Sequence, residues 1–156
     1  IRGNHKAAFD QMYPRWKRRI ANKYGDVSSL EENMAKIGEK MAKHGISILS
    51  FKATGDADAY EVWPLENEAS GKASYTKWMV LVSTVTRMRF MEEGNPEPRF
   101  VDIHGYQVAI ADKGSDDWKF INGTDISASD LRSLFTSLPA NLKLPEIRRE
   151  EVEASK

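Results

Sequence analysis

Hydrophobic residues recur at helical spacing over residues 5–24. Four large apolar side chains follow one another at intervals of four, three and four, which places them on one helical face: Phe9, Tyr13, Trp16 and Ile20. Pro14 interrupts the pattern, because it lacks a backbone N–H and crowds the preceding turn. We therefore expect either a kinked helix or two consecutive helices in this segment.

A second amphipathic helix is predicted directly afterwards. Its apolar stripe repeats the same spacing: Leu30, Met34, Ile37 and Met41. Ser28 and Ser29 each precede a glutamate by three residues, so either serine could begin the helix with a capping box. Gly45 is placed to end it in the left-handed conformation that glycine adopts without strain.

The hydrophobic period changes to two at residue 46, which is typical of strands. We expect a strand to about residue 54, a turn over 55–58, a short strand over 60–63 stopped by Pro64, and a loop over 65–74. Longer strands follow over 75–91 and 99–112, and a last one over 117–121. Short connections between these strands predict an antiparallel meander.

The strand over 75–91 is too long to lie flat in a small domain. At about 3.3 Å per residue it would extend roughly 55 Å. We therefore expect it to bend strongly or to contain a bulge.

A short helix is predicted after the meander, capped by Asp125 or Ser127 and apolar along one side. Asn122-Gly123-Thr124 matches a glycosylation sequon, but Asn-Gly favours a turn at this point. The sequence thus predicts one α+β domain over residues 1–145. Its N-terminal helices pack on a strongly curved antiparallel sheet of four to six strands, shaped like a cone. Residues 146–156 are expected to form a mobile charged tail.

Composition excludes several classes of function. The chain has 156 residues, no cysteine, and equal numbers of basic and acidic side chains. Disulfide scaffolds and thiolate chemistry are therefore excluded, and zero net charge argues against a nucleic-acid partner. The longest apolar run, residues 78–82, is far shorter than the ~20 residues of a membrane span. The chain begins with Ile1, so an extracytoplasmic setting, periplasmic or secreted, is expected if a leader preceded that residue.

Although the net charge of the chain is zero, two segments are strongly charged. Residues 1–23 contain seven basic groups and one acidic group, whereas residues 53–71 contain five acidic groups and no basic one. We expect the two segments to lie close together or to face complementary partners.

The order of helices before a long bent meander resembles the cone-shaped fold of the nuclear transport factor 2-like (cystatin-like) superfamily. The segments 106–112, 117–123, 131–135 and 138–139 are similar to the C-terminal part of an uncharacterised bacterial family. That family often has Asp where Asn122 stands here, and Pro where Thr136 stands. The resemblance covers residues 28–145, and only about the last forty are specific. It implies a fold and a bacterial setting, and it transfers no catalytic residue.

Candidate chemistry lies on the strand over 99–112. Asp102, His104 and Tyr106 alternate and therefore share one sheet face, together with apolar neighbours. They could line the mouth of the cone, where enzymes that the resemblance suggests use such groups for acid–base work. Alternatively they occupy an exposed part of the strand, with the Tyr106 ring packed, and a bulge near Gly105 would divide them between faces. Trp78 is a further candidate for lining a ligand pocket, or a core residue.

The sequence predicts no cofactor and no metal site, since its three histidines form no ligand motif. We expect a non-enzymatic binding or accessory domain with an apolar pocket for a small hydrophobic ligand or a peptide. The alternative is a small acid–base enzyme of isomerase or dehydratase type that acts on a hydrophobic molecule. A third interpretation is an interaction domain that forms a homodimer through its sheet.

Overall fold

The computed structural model describes residues 5–62 and 77–154. Three helices come first, a five-stranded antiparallel sheet follows, and a short helix precedes the last strand. The elements are α1 (His5–Gln11), α2 (Pro14–Tyr24), α3 (Val27–Lys43), β1 (Ile46–Val62), β2 (Lys77–Phe90), β3 (Arg99–Asp112), β4 (Lys119–Asn122), a 3-10 helix (Gly123–Asp125), α4 (Ala128–Leu134) and β5 (Arg148–Val152). This arrangement confirms the α+β class, and the sheet is curled without closing. The predictions made for residues 63–76 lie outside the described residues.

The N-terminal segment forms two consecutive helices, one of the two predicted outcomes. Pro14 begins α2, and the two residues before it leave the helical path. Tyr13 there donates its backbone N–H to the carbonyl oxygen of Phe120 at 3.0 Å. The proline therefore creates the break that attaches the helices to β4.

Helix α3 is capped by Asp26, and the prediction of a serine cap was wrong. The Asp26 carboxylate accepts a hydrogen bond from the backbone N–H of Ser29 at 2.7 Å, which leaves Ser28 and Ser29 inside the first turn. Aspartate is as strong an N-cap as serine, so the earlier residue begins the helix. Gly45 follows the helix with a φ of 68°, as predicted.

Strand β1 is one continuous strand of 17 residues, and the predicted turn over 55–58 is wrong. Ala53 lies opposite Thr84 and Ala57 opposite Val82, so β1 has two extra residues at this point. Gly55 absorbs the irregularity with a φ of 95°. By contrast, β2 and β3 pair without interruption over 14 residue pairs. We expected the long strand β2 to bend strongly or to contain a bulge. It pairs with β3 without a bulge in a curled sheet, and the bulges lie in its neighbour β1.

The segment predicted to be a mobile tail contributes strand β5. Residues Arg148–Val152 pair antiparallel with the first part of β3, from Phe100 to His104, while β4 pairs with its second part. Four of the five residues of β5 are charged, so no hydrophobic alternation marked the strand. Its side chains pair instead with charged neighbours, as Arg99 does with Glu151.

The main core lies on one face of the sheet. It joins Met79, Val108 and Ile121 to the segment that follows β4, which contributes Leu131 and Phe135. The helices hold a second, smaller core of their own: Phe9, Ala21 and Leu30. None of the helices within the described ranges is long and apolar enough to cross a membrane.

Candidate functional site

A groove of about 750 Å³ lies between the three N-terminal helices and the sheet face opposite to the main core. Large apolar side chains dominate its lining: Met12, Trp16, Ile20, Tyr24, Leu30, Met34, Ile37, Phe51 and Phe120. Five polar side chains interrupt them: Gln11, Lys23, Gln107, Asn122 and Asp125. Trp16 of α2 is a member of the main core and also lines the groove, so the groove lies beside the contact between α2 and the sheet.

The register of β3 and β4 decides which residues reach the groove. Gln107 lies directly opposite Asn122, and Ala109 lies opposite Phe120. Because directly opposed residues share a face, Gln107 and Asn122 both belong to the groove side. Tyr106 and Val108 point to the other side, where both are members of the main core.

Several groove side chains are unusually exposed for their size. Tyr24 and Ile37 are 50% and 51% exposed, and Phe51 and Phe120 are 40% and 38% exposed. Single exposed apolar residues are common, but four that converge on one concave surface mark an interaction site. Burying such side chains under a ligand would remove a large apolar area from water.

A tight turn positions the polar end of the groove. The Asn122 side-chain oxygen accepts hydrogen bonds from the Thr124 backbone N–H at 3.1 Å and from the Thr124 hydroxyl at 3.0 Å. Gly123 lies against Tyr106, so that a Cβ would approach the Tyr106 carbonyl oxygen to 2.5 Å. The Tyr106 hydroxyl in turn donates to the Ile126 carbonyl oxygen at 3.4 Å. Tyr106 therefore holds the turn in place from the side of the main core.

Two charged groups of opposite sign line the groove, Lys23 and Asp125. The Thr124 hydroxyl lies 3.5 Å from a carboxylate oxygen of Asp125. Removal from water raises the pKa of the Asp125 carboxyl above its ordinary value, although the residue as a whole keeps contact with solvent. The lining thus has no net charge.

Asp102, the first predicted site residue, lies outside the groove in an ion pair with Arg87. The guanidinium donates through Nε and Nη2 to the two carboxylate oxygens, both at 2.7 Å. These hydrogen bonds hold the pKa of Asp102 below its ordinary value. A carboxylate with a depressed pKa is a weak general base.

His104 and Tyr106 have other partners, although no bulge separates them from Asp102. The His104 Nε2 atom lies 3.3 Å from a Glu150 carboxylate oxygen without hydrogen-bond geometry. Tyr106 is 2% exposed, and its burial raises the pKa of its hydroxyl. The three side chains share a strand face but are engaged separately with β2, β5 and the segment after β4.

Trp78 belongs to the same sheet face as Gln107 but does not line the groove. It is half-buried, and the Lys113 ammonium lies 5.1 Å from the centre of its ring. The four residues predicted from sequence are therefore not brought together, and their ligand-binding role stays a prediction.

The basic face of α2 contacts the C-terminal end of α4. Arg15 donates to the Leu134 carbonyl oxygen at 2.7 Å and Arg19 to the Ser133 hydroxyl at 2.6 Å. Cations are favoured there by unpaired carbonyls and the helix dipole. Glu61, from the acidic segment, pairs with Lys113 at 3.2 Å, and residues 63–71 of that segment lie outside the described residues.

Sequence reasoning missed the polar residues of the groove. Gln107 is the one amide side chain in β3, and it interrupts a run of apolar residues. That interruption was a usable signal. Asn122 was interpreted only as a turn residue, and its position opposite Gln107 required the register.

Within residues 5–62 and 77–154, no three His, Asp or Glu side chains are grouped so as to hold a metal ion. Comparison with known proteins found no matching family model, no matching curated protein and no matching solved structure. The extracytoplasmic setting and the homodimer through the sheet stay predictions.

Proposed function

We propose that this chain is a non-enzymatic binding domain that holds a small apolar molecule in the groove between the helices and the sheet. The observation that carries the proposal is the convergence of Tyr24, Ile37, Phe51 and Phe120 on one concave surface while each keeps more than a third of its area exposed. A bound apolar molecule would cover these side chains and add the stability of their burial.

The size of the groove favours a small molecule over a protein partner. Pockets for small ligands usually measure roughly 300–1,000 Å³ and combine apolar walls with a few polar groups. The volume of about 750 Å³ and the mixed lining agree with that range.

The contacts of Asp102, His104 and Tyr106 favour a binding function over a catalytic one. Asp102 is ionised and doubly bonded to Arg87, and none of Asp102, His104 and Tyr106 lines the groove. The resemblance to the nuclear transport factor 2-like superfamily belongs to the same proposal. Helices packed against a curled antiparallel sheet support it.

Binding of N-phenyl-1-naphthylamine, a neutral probe that fluoresces in apolar surroundings, tests the proposal. The unmodified protein should bind it with saturation. Ile37→Lys should weaken binding by about tenfold, because it removes apolar contact and places a charge in the lining.

Val27→Lys is the matched control. Val27 lies on the same helix and is 42% exposed, but it does not line the groove. This variant should bind the probe like the unmodified protein. Equal weakening by both substitutions, or no saturable binding at all, would contradict the proposal.

A further inference from the structure

The polar end of the groove indicates which chemical class of ligand binds there. This inference rests on the proposed binding function. Gln107 and Asn122 face each other across β3 and β4, with Cβ atoms expected about 5 Å apart. They bring two carboxamides side by side into a largely apolar lining.

The hydrogen bonds of the turn fix the orientation of the Asn122 amide. Its oxygen already accepts from the Thr124 N–H and from the Thr124 hydroxyl. The amide NH₂ therefore lies on the far side of the carboxamide and has no protein acceptor among the described hydrogen bonds. It is a donor available to a ligand atom that accepts hydrogen bonds.

The charge at this end discriminates between head groups. The Thr124 hydroxyl lies 3.0 Å from the Asn122 side-chain oxygen and 3.5 Å from the Asp125 carboxylate. A ligand carboxylate held by the Asn122 amide would consequently share the polar end of the groove with the Asp125 carboxylate. Like charges in one groove repel each other, so Asp125 disfavours an anionic head group there.

We propose that the ligand is a neutral amphiphile, with an apolar chain along the helices and an uncharged acceptor group, such as a hydroxyl or amide, at the Gln107–Asn122 pair. An anion is disfavoured by Asp125. A primary ammonium group offers no acceptor to the Asn122 amide.

Displacement of bound N-phenyl-1-naphthylamine by 1-decanol, decanoate and decylamine at neutral pH tests this head-group preference. Decanol should displace the probe at a concentration at least about tenfold lower than decanoate. Asp125→Asn keeps an oxygen for Thr124 and removes the charge, so it should reduce that difference to about threefold or less.

Asn122→Asp retains the oxygen that caps the turn and removes the NH₂ donor. It should weaken decanol binding by about fivefold and, although it adds a carboxylate, should weaken binding of the probe less than that of decanol, because the probe makes no hydrogen bond to the amide. Asn95→Asp is the matched control, because Asn95 caps an exposed turn by accepting from the Glu97 N–H and is not part of the groove. It should leave both affinities unchanged.

The outcomes separate the two proposals. If the unmodified protein does not bind the probe, the binding function fails. If the probe binds but decanol and decanoate compete equally, or decylamine competes best, only the neutral head group is wrong. If Asn122→Asp leaves decanol binding intact, the role of the amide is wrong.

Discussion

Arg87 and Asp102 face each other across β2 and β3 and form an ion pair with two hydrogen bonds of 2.7 Å. A carboxylate on a sheet face with apolar neighbours is thereby stabilised by its partner rather than kept free for chemistry. We therefore expect Asp102 to contribute to the stability of the fold.

Stability should depend on pH through this pair. The pKa of Asp102 is lower in the folded protein than in the unfolded chain, so the unfolded chain binds the proton more tightly. The stabilisation is complete above pH of about 4 and is lost as the pH falls through the folded-state pKa. In urea unfolding, Asp102→Asn should therefore have a lower midpoint than the unmodified protein at pH 7, and the gap between the two midpoints should shrink as the pH falls below about 4.

Asp116→Asn serves as the control for that experiment, since Asp116 is exposed in the loop before β4. It should shift the midpoint little at either pH. A gap between Asp102→Asn and the unmodified protein that persists unchanged into acid would contradict the assignment of the effect to the ion pair.

Gly123→Ala should destabilise the protein by about 1–3 kcal/mol, a typical cost of overpacking. The added methyl group would lie 2.5 Å from the Tyr106 carbonyl oxygen and 2.7 Å from its ring, and neither can move freely. Thermal or urea unfolding measures the effect. Gly105→Ala, on β3, meets only the Thr84 hydroxyl at 4.0 Å and should stay within about 0.5 kcal/mol. Similar losses for both variants would show that the close approach of Gly123 is unimportant.

Gly45→Ala should lower the stability of the protein for two reasons, backbone strain and a steric clash. Gly45 has a φ of 68°, and its added Cβ would lie 2.3 Å from the Met91 carbonyl oxygen. Gly94→Ala has the strained φ of 84° alone, with open space around it, and should cost about 1–2 kcal/mol. In equilibrium unfolding, Gly45→Ala should cost at least about 1 kcal/mol more than this control. Equal costs would argue against the steric contribution of Met91.

The N-terminus of α4 depends on a reciprocal cap. The Ser127 hydroxyl accepts from the Asp130 N–H at 3.1 Å, and the Asp130 carboxylate accepts from the Ser127 N–H at 3.0 Å. Ser127→Ala should therefore cost about 1 kcal/mol in urea unfolding. Ser129→Ala, an exposed position inside the helix, should change stability by less than about 0.5 kcal/mol. The reverse order of effects would rule out the cap.

Much of the fold could be predicted because local chemistry and tertiary structure agree. The bounds of β3 coincide with the predicted strand, and Ser127 caps α4 as one of two expected residues. Predictions failed where a local signal had two structural meanings. Gly55-Asp56 is a turn signal in isolation. Because β1 pairs with β2 both before and after this dipeptide, it forms a bulge within the strand instead. Strand β5 was missed because its stability depends on charged partners across the strands and not on alternation.

The groove could not be predicted because it depends on strand register and on how the helices pack against the sheet. Gln107 and Asn122 are 15 residues apart, and no sequence period connects them. Conversely, Asp102, His104 and Tyr106 are linked by simple alternation, which indicated a shared face correctly. The alternation of side chains along a strand does not indicate whether the shared face lines a groove or a core.

The break between α1 and α2 also protects the sheet. Met12 pairs with Phe120 along the outer side of β4, and Tyr13 donates to the same strand, so this edge is covered within the molecule. At the opposite edge, the register of β1 against β2 shifts between Ile48 and Ser50 and again between Ala53 and Ala57. Uncovered, regular edges are templates on which further chains can add strands, and bulges or coverage prevent this. Coverage of β4 and the register shifts of β1 therefore oppose the addition of further strands at these positions, while the apolar groove stays open to a ligand.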